Sequence, residues 1–325
     1  MLRRALQVAQ WLFAILVVFF AGRAVAREWQ TVGHRFADLR PGWLALIAAS
    51  AIVLATYAFL VETWRRVLAA WDVELGWGTA ARIWFVSSLG KYIPGGLWSV
   101  AALGVMAKNR GASPVAAAGS SVIINVLNLA SGLALVLVFG ARIVPHPALF
   151  ALAAVIVVAG FLVAPSVLPW LLATVSRVTG RQLDIGRVPR STVWLSLGGT
   201  IVAWCTYGVA FHLFSIAILG RNAVHGSVVL FIAAYTAAYI LGFVVPSVAG
   251  LGVREAGIVE AMSHLGLAST SDAIVVALAS RLWLTVLEVV PGLIALAVGR
   301  AERPPREAPP GDGATPTSDP RPRSA

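Results

Sequence analysis

Long apolar runs separated by short polar connections dominate the chain. Crossing the hydrocarbon core of a bilayer takes roughly 20 apolar residues. Six runs meet this requirement, and they predict full membrane spans at residues 5–22, 42–61, 113–139, 147–170, 191–219 and 272–298. After the second span, residues 62–76 carry Trp, Val and Leu three or four positions apart. That spacing predicts either an interfacial amphipathic helix or an extension of the span.

Two other apolar segments are broken at their centres by Gly and Pro. The first break, residues 90–96, interrupts the apolar segment at residues 78–108. The second break, residues 246–252, lies between residues 224–245 and 253–265. Because most of these halves are short for a span at 1.5 Å per residue, we predict that each broken element is a helical hairpin with a non-helical bend.

The two broken elements resemble each other in sequence. Two six-residue stretches align, Leu89-Gly90-Lys91-Tyr92-Ile93-Pro94 and Leu241-Gly242-Phe243-Val244-Val245-Pro246. A long apolar helix follows each of them further along the chain. The match predicts an internal repeat, and chance similarity is the alternative because Gly and Ala are common in the chain. In transporters, paired segments broken by Gly and Pro point to the binding site.

The composition favours a membrane protein over a soluble one. Hydrophobic residues make up 59% of the chain and charged residues 12%, against about 45–50% and 25% in soluble domains. We therefore predict an all-α polytopic integral membrane protein. The net charge of +11 does not indicate nucleic-acid binding, because the Arg residues lie singly or in pairs between apolar runs. A single cysteine, Cys205, excludes an intrachain disulfide and a cysteine-based metal cluster.

The charges between the apolar runs predict the orientation. With the N-terminus in the cytoplasm and each hairpin returning to its own side, fifteen Lys and Arg residues lie inside and six outside. The positive-inside rule favours this arrangement. Both termini are then cytoplasmic, and the hairpins enter from opposite sides as an inverted-topology repeat. The four Arg residues from Arg23 to Arg40 lie outside in this arrangement, which the positive-inside rule disfavours. We also expect the first span to remain uncleaved.

Ionisable residues inside the apolar segments are candidate functional residues, because a charge in the hydrocarbon core is costly. They are Lys91 in the first break, Arg254 and Glu255 after the second, and Arg281 and Glu288 in the last span. Backbone N–H groups freed at a break attract anions, and Arg suits phosphate. These residues predict an anionic amphiphilic ligand. The alternative is that the last four form an internal ion-pair network. No residue spacing indicates a metal site or another cofactor.

The motifs at the two breaks resemble the lysylphosphatidylglycerol synthase transmembrane region, a family of flippase-like domains. They read Gly90-Lys91-Tyr92-Ile93-Pro94-Gly95-Gly96-Leu97-Trp98 and Pro246-Ser247-Val248-Ala249-Gly250-Leu251-Gly252-Val253-Arg254-Glu255. The resemblance covers about residues 5–299. By motif match, the resemblance implies a substrate-binding role for eight residues, namely Lys91, Tyr92, Pro94, Gly95, Gly250, Gly252, Arg254 and Glu255. We expect the same role of Arg281 and Glu288.

One polar pair departs from the family pattern. Asn125 and Asn128 lie on neighbouring turns of the span predicted at residues 113–139. The family often has an acidic or Glu-Arg element about where Asn125 and Val126 stand, which leaves the charge balance of the first repeat open. The ordinary role of such Asn residues is hydrogen bonding between membrane helices.

The resemblance implies a function in lipid transport. In bifunctional members this domain moves aminoacylated phosphatidylglycerol between leaflets, and stand-alone archaeal relatives are linked to polyisoprenyl-linked sugars. We expect a flippase-like domain at residues 1–299 that translocates an anionic or phosphate-linked lipid across the cytoplasmic membrane, and a disordered cytoplasmic tail at residues 300–325. No enzyme activity, and specifically no synthase activity, is expected.

Two alternatives to lipid transport stay open. One is a membrane-embedded lipid-modifying enzyme, and the other is a non-transporting assembly partner of an envelope-lipid pathway. The expected partners are membrane lipids, and envelope-lipid enzymes are candidates beside them.

Overall fold

A computed structural model describes residues 41–69, 73–92, 106, 114–139, 155, 190–244 and 252–298. Within these ranges the chain forms seven α-helices and two short 3-10 turns, and no strand. The helices are α1 (Trp43–Ala69), α2 (Trp77–Ser88), α3 (Pro114–Phe139), α4 (Arg190–Leu219), α5 (Val228–Val244), α6 (Val253–His264) and α7 (Thr270–Val298). The turns are Leu89–Tyr92 and Arg221–Ala223. The all-α prediction is confirmed for this part of the chain.

Three of the helices are long and apolar enough to cross a membrane, namely Trp43–Ala69, Ser191–Leu219 and Thr270–Val298. They coincide with three of the predicted spans. Shorter apolar helices cover Ile124–Phe139 and Val228–Phe243. The spans predicted at residues 5–22 and 147–170 and the tail lie outside the described residues, so the count of six spans and the inverted repeat stay predictions.

The segment after the second predicted span extends that span rather than forming a separate helix. Helix α1 continues without a break to Ala69. Trp64, Val67 and Leu68 are fully buried, and the Trp64 ring packs against Trp84 of α2 at a centroid distance of 5.9 Å. Because these apolar positions face α2 and not a membrane surface, the alternative of a separate interfacial helix is wrong for residues 62–69.

Helices α1 and α4 form an antiparallel pair. At one end, the Gly42 N–H donates to the Ala217 carbonyl at 2.8 Å. At the centre, the Thr56 hydroxyl donates to the Thr206 hydroxyl at 2.8 Å. At the other end, a Cβ on Gly199 would lie 2.7 Å from a side-chain carbon of Thr63. Small residues let the backbones approach closely, as is usual between membrane helices.

Helices α5 and α6 are the two halves of the second broken element, and they run antiparallel. A Cβ on Gly242 would lie 3.0 Å from the Cβ of Arg254, and one on Gly257 would lie 3.1 Å from the Cα of Ala238. At the open end, the His225 N–H donates to the Leu267 carbonyl at 2.9 Å. The helices on either side of the second break therefore pack as a helical hairpin, as predicted. Residues 245–251 lie outside the described residues.

Only the first half of the first broken element is described. Helix α2 runs into the 3-10 turn Leu89–Tyr92, and residues 93–105 lie outside the described part. Leu89 is fully buried against α7, where a Cβ on Gly292 would lie 2.8 Å from a methyl group of Leu89. The glycine creates the notch that receives Leu89.

Candidate functional site

Two of the charged residues predicted to be functional, Arg254 and Arg281, lie far along α6 and α7 from the open end of the hairpin. Arg254 is ten residues from the end of α6 at His264, and Arg281 is eleven residues after the start of α7 at Thr270. Both helix ends lie at the open end of the hairpin. At 1.5 Å per residue, the two Arg residues lie about 15 and 16.5 Å from that end. This depth is about half of the roughly 30 Å hydrocarbon thickness.

Glu255 joins α6 to α7. Its Oε1 accepts from Arg281 Nη1 at 2.9 Å, and its Oε2 accepts from the Gly252 N–H at 2.8 Å. The side chains of Arg281 and Glu255 are only 7% and 9% exposed. Gly252 has φ +82°, a conformation that favours glycine. Of the predicted ion-pair network, the pair Glu255–Arg281 is present. Glu255 neutralises a buried Arg and also caps the N-terminus of α6.

Arg254, which precedes Glu255, is held differently. The Cζ of Arg254 lies 5.5 Å from the centroid of the Tyr235 ring and 5.8 Å from that of Tyr239, both on α5. These distances are typical of cation–π contact. Gly242 allows this approach because any side chain there would press on Arg254. The guanidinium is thus fixed against α5 by two tyrosine rings.

The donors on one edge of Arg254 have no protein acceptor among the described residues. Its Nε and Nη2 are buried and make no hydrogen bond there. The same edge of Arg65 binds Glu62 bidentately, with Nε to Oε2 at 2.8 Å and Nη2 to Oε1 at 2.9 Å. We call Nε and Nη2 of Arg254 the Arg254 fork. Its geometry matches a carboxylate or a phosphate.

Sequence reasoning did not single out the tyrosines of this site. Tyr57, Tyr207, Tyr235 and Tyr239 form a row from α1 through α4 to α5, with successive ring centroids 6.0, 6.0 and 6.2 Å apart. The row ends at Arg254. Tyr235 and Tyr239 lie one turn apart just before the second break, and that spacing could have indicated a shared face. The place of Tyr57 and Tyr207 depends on how the helices pack.

The remaining predicted residues are placed only in part. Glu288 of α7 is half-buried, and its carboxylate interacts electrostatically with Arg254 and Tyr207. The backbones of Lys91 and Tyr92 belong to the 3-10 turn after α2. Nothing is described of their side chains. Pro94, Gly95 and Gly250 lie outside the described residues.

The fold and the site define a multi-helix membrane protein in which a helical hairpin and the helix after it hold buried charged residues. The family model described as the lysylphosphatidylglycerol synthase TM region matches residues 7–292, which is most of the chain. The chain belongs to this family, as its motifs predicted. No curated protein matches the sequence.

Proposed function

We propose that the protein translocates a phosphate-containing lipid between the leaflets of the cytoplasmic membrane and leaves the lipid chemically unchanged. Membership of the family supports a flippase-like role. The observation that carries the proposal is the Arg254 fork, a buried bidentate donor pair without an acceptor among the described residues. The cytoplasmic termini and the inverted-topology repeat belong to the same proposal.

Phosphate is the favoured ligand group because of how Arg254 is held. Arg254 Cζ lies over the rings of Tyr235 and Tyr239, and Nε and Nη2 still have no acceptor among the described residues, so the cation–π contacts leave the fork open to a bidentate ligand. Glu255, the acid next in sequence, is already occupied by Arg281 and Gly252. Glu288 interacts with Arg254 electrostatically, but the fork has no hydrogen-bond acceptor among the described residues. Burying such donors without an acceptor is costly, and a lipid phosphate that reaches the fork would offset that cost.

The depth of the fork favours movement over simple lipid retention. A binding group near the midplane is about equally far from both leaflets, and substrate sites of secondary transporters lie at this depth, on broken helices. A headgroup that binds there has left one interface and has not yet reached the other. The Arg254 fork is therefore suited to an intermediate of translocation.

The test is lipid movement in liposomes containing only the purified protein. Fluorescently tagged phosphatidylglycerol would be followed by quenching from outside, with wild type compared with Arg254→Met and Arg254→Lys. Hydrogen bonds to charged groups contribute about 1.5–3 kcal/mol, and 1.4 kcal/mol is about tenfold. We expect Arg254→Met to slow movement roughly 10- to 100-fold. Arg254→Lys keeps the charge and loses the fork, so it should be intermediate.

The controls separate this role from folding. Arg66→Met removes an exposed charge on α1. The rate of lipid movement in this variant should match that of wild type. Arg254→Met leaves the Glu255–Arg281 pair intact, so the variant should insert and accumulate normally. Unchanged movement in Arg254→Met would refute the role of the fork. Chemical change of the tagged lipid by the purified protein would favour the enzyme alternative instead.

A further inference from the structure

Trp204 lies at the middle of α4, fourteen residues after its start at Arg190 and fifteen before its end at Leu219. Tryptophan is usually found near the ends of membrane helices, where its ring sits at the membrane–water interface. Trp204 is instead buried, with 3% of its surface exposed. A buried indole N–H needs an acceptor within the protein, so this residue is placed by its contacts with other helices.

One edge of the Trp204 indole is fixed on α3. Its Nε1–H donates to the Asn128 backbone carbonyl at 2.9 Å. A Cβ on Gly132, one turn further along α3, would lie 2.9 Å from indole Cε2 and 3.0 Å from Nε1. Side chains do not pack so closely, so glycine lets the indole reach its acceptor. Because the indole is rigid, these two contacts set the position of the whole ring.

The same ring packs against Tyr239 of α5. The two ring centroids are 5.2 Å apart with an interplanar angle of 75°, an edge-to-face arrangement that aromatic pairs prefer. Tyr239 in turn lies 5.8 Å from the Cζ of Arg254. The described contacts therefore run in sequence from α3 through Trp204 and Tyr239 to the guanidinium on α6.

We infer that Trp204 is a positioning residue for the Arg254 fork. It holds the Tyr239 ring against the guanidinium, and Gly132 sets where Trp204 stands. The inference rests on the proposed function, because it concerns the group that would bind the lipid phosphate. It also connects α3, which follows the first broken element along the chain, to the hairpin of the second.

The distance between Tyr239 and Arg254 makes this contact sensitive to the position of the ring. A cation–π contact requires the cation within about 6 Å of the ring centroid, and here the distance is 5.8 Å. A small displacement of Tyr239 would leave the guanidinium held by Tyr235 alone. We expect the loss of Trp204 to slow lipid movement about two- to tenfold, a range that corresponds to cation–π energies.

The first test observes the Tyr239 ring directly. A ring-fluorinated tyrosine is placed at position 239 of the full chain, and its fluorine NMR shift is measured in the purified protein in detergent. Ring currents and nearby charges both change such a shift. We expect Trp204→Leu, Gly132→Ala and Arg254→Met each to move the resonance, because each alters a group that touches the ring or places its neighbour.

Matched substitutions on α4 control for general effects. Trp194→Leu makes the same change as Trp204→Leu at a tryptophan that is 66% exposed. Gly198→Ala adds the same methyl group as Gly132→Ala at a position with nothing within 4 Å of the built Cβ. Neither control should move the resonance.

The second test is a double-mutant cycle on lipid movement. Tagged phosphatidylglycerol is followed in liposomes, with Trp204→Leu introduced into wild type and into Arg254→Met. If Trp204 acts through Arg254, the slowing should appear in wild type and disappear in the Arg254→Met background. A residue that only stabilises the fold would slow movement equally in both.

Each outcome decides one point. A resonance that ignores Trp204→Leu or Arg254→Met would overturn the inference, and so would equal slowing in both backgrounds. Movement that Arg254→Met slows and Trp204→Leu leaves unchanged would also overturn it, with the proposed function still standing. If the wild-type protein moves no lipid, the proposed function fails, and the resonance alone decides whether Trp204 and Arg254 share the Tyr239 ring.

Discussion

At the scale of single residues, two neighbours on α6 have different tasks. Glu255 is fully used by Gly252 and Arg281, while the fork of Arg254 makes no hydrogen bond to a described residue. Neighbours in a helix point about 100° apart, so one turns toward α7 and the other toward α5. A charge held in an ion pair and a charge that we propose binds a ligand can therefore be adjacent in sequence without sharing a partner.

The buried pair gives a prediction for stability. Arg281→Met would leave the Glu255 carboxylate without its cation, which costs about 3–5 kcal/mol for buried pairs. Adding Glu255→Gln removes the orphaned charge and keeps an acceptor for the Gly252 N–H. We expect a strong fall in the detergent melting temperature for the single variant and recovery of most of it in the double variant.

The control for this pair is a substitution at the surface. Arg66→Met breaks an exposed pair with Glu62, and such pairs contribute about 0–1 kcal/mol. Its melting temperature should stay close to that of wild type. A double variant that melts as low as Arg281→Met would contradict the ion-pair explanation.

At the scale of helices, glycines set the distances that position the site. Gly208 of α4 faces α5, and a Cβ there would lie 2.4 Å from the Cα of Ile232. This contact is backbone to backbone, so no side-chain rotation can relieve it. The row of tyrosines crosses from α4 to α5 at the neighbouring residue Tyr207, so the spacing of these helices also sets the row.

Two glycines in α4 form a matched pair for a second prediction. Gly208→Ala should force α4 and α5 apart and destabilise the protein by about 1–3 kcal/mol, the usual range for overpacking. Gly198 has nothing within 4 Å of a built Cβ, so Gly198→Ala should be neutral or stabilise by about 0.5–1 kcal/mol. Thermal unfolding in one detergent measures both. Equal effects of the two substitutions would contradict the close approach at Gly208.

Sequence patterns predicted the helices better than their partners. The span predicted at residues 191–219 is Arg190–Leu219 in the structure, because length and hydropathy are local properties. The hairpin at the second break also followed from local Gly and Pro. The partner of Glu255 did not, because Arg281 lies 26 residues away on another helix, and only the packing of α6 on α7 chooses it over the adjacent Arg254.

At the scale of the whole molecule, the helix pairs fix which ends share a side. Since α1 and α4 are antiparallel, the start of α1 at Trp43 lies with the end of α4 at Leu219. Arg221, just after α4, therefore lies on the same side as the start of α1, which agrees with the charge pattern for this pair of ends. Which side faces the cytoplasm stays a prediction.

Cysteine labelling tests both the pairing and the orientation. In a Cys205→Ala background, a cysteine replacing Glu74 should react only from the cytoplasm, and one replacing Arg221 only from outside. Both positions are exposed, so access does not limit the reaction. Reaction from the same side would contradict the antiparallel arrangement. Reaction from exchanged sides would keep the arrangement and overturn the orientation, along with the inverted-repeat argument.

The notch at Gly292 has a mechanical consequence. Helix α7 contacts both broken elements. Arg281 pairs with Glu255 of the second hairpin, and Gly292 packs against Leu89 of the first broken element. Arg281 and Gly292 are eleven residues apart, about three turns, and so lie on one face of α7. Neither broken element can shift far unless α7 moves with it or one of these two contacts breaks. Pro291 lies inside α7 beside the contact with Leu89 and removes a backbone hydrogen bond there, so we expect α7 to bend at this point and to couple any movement of the two elements.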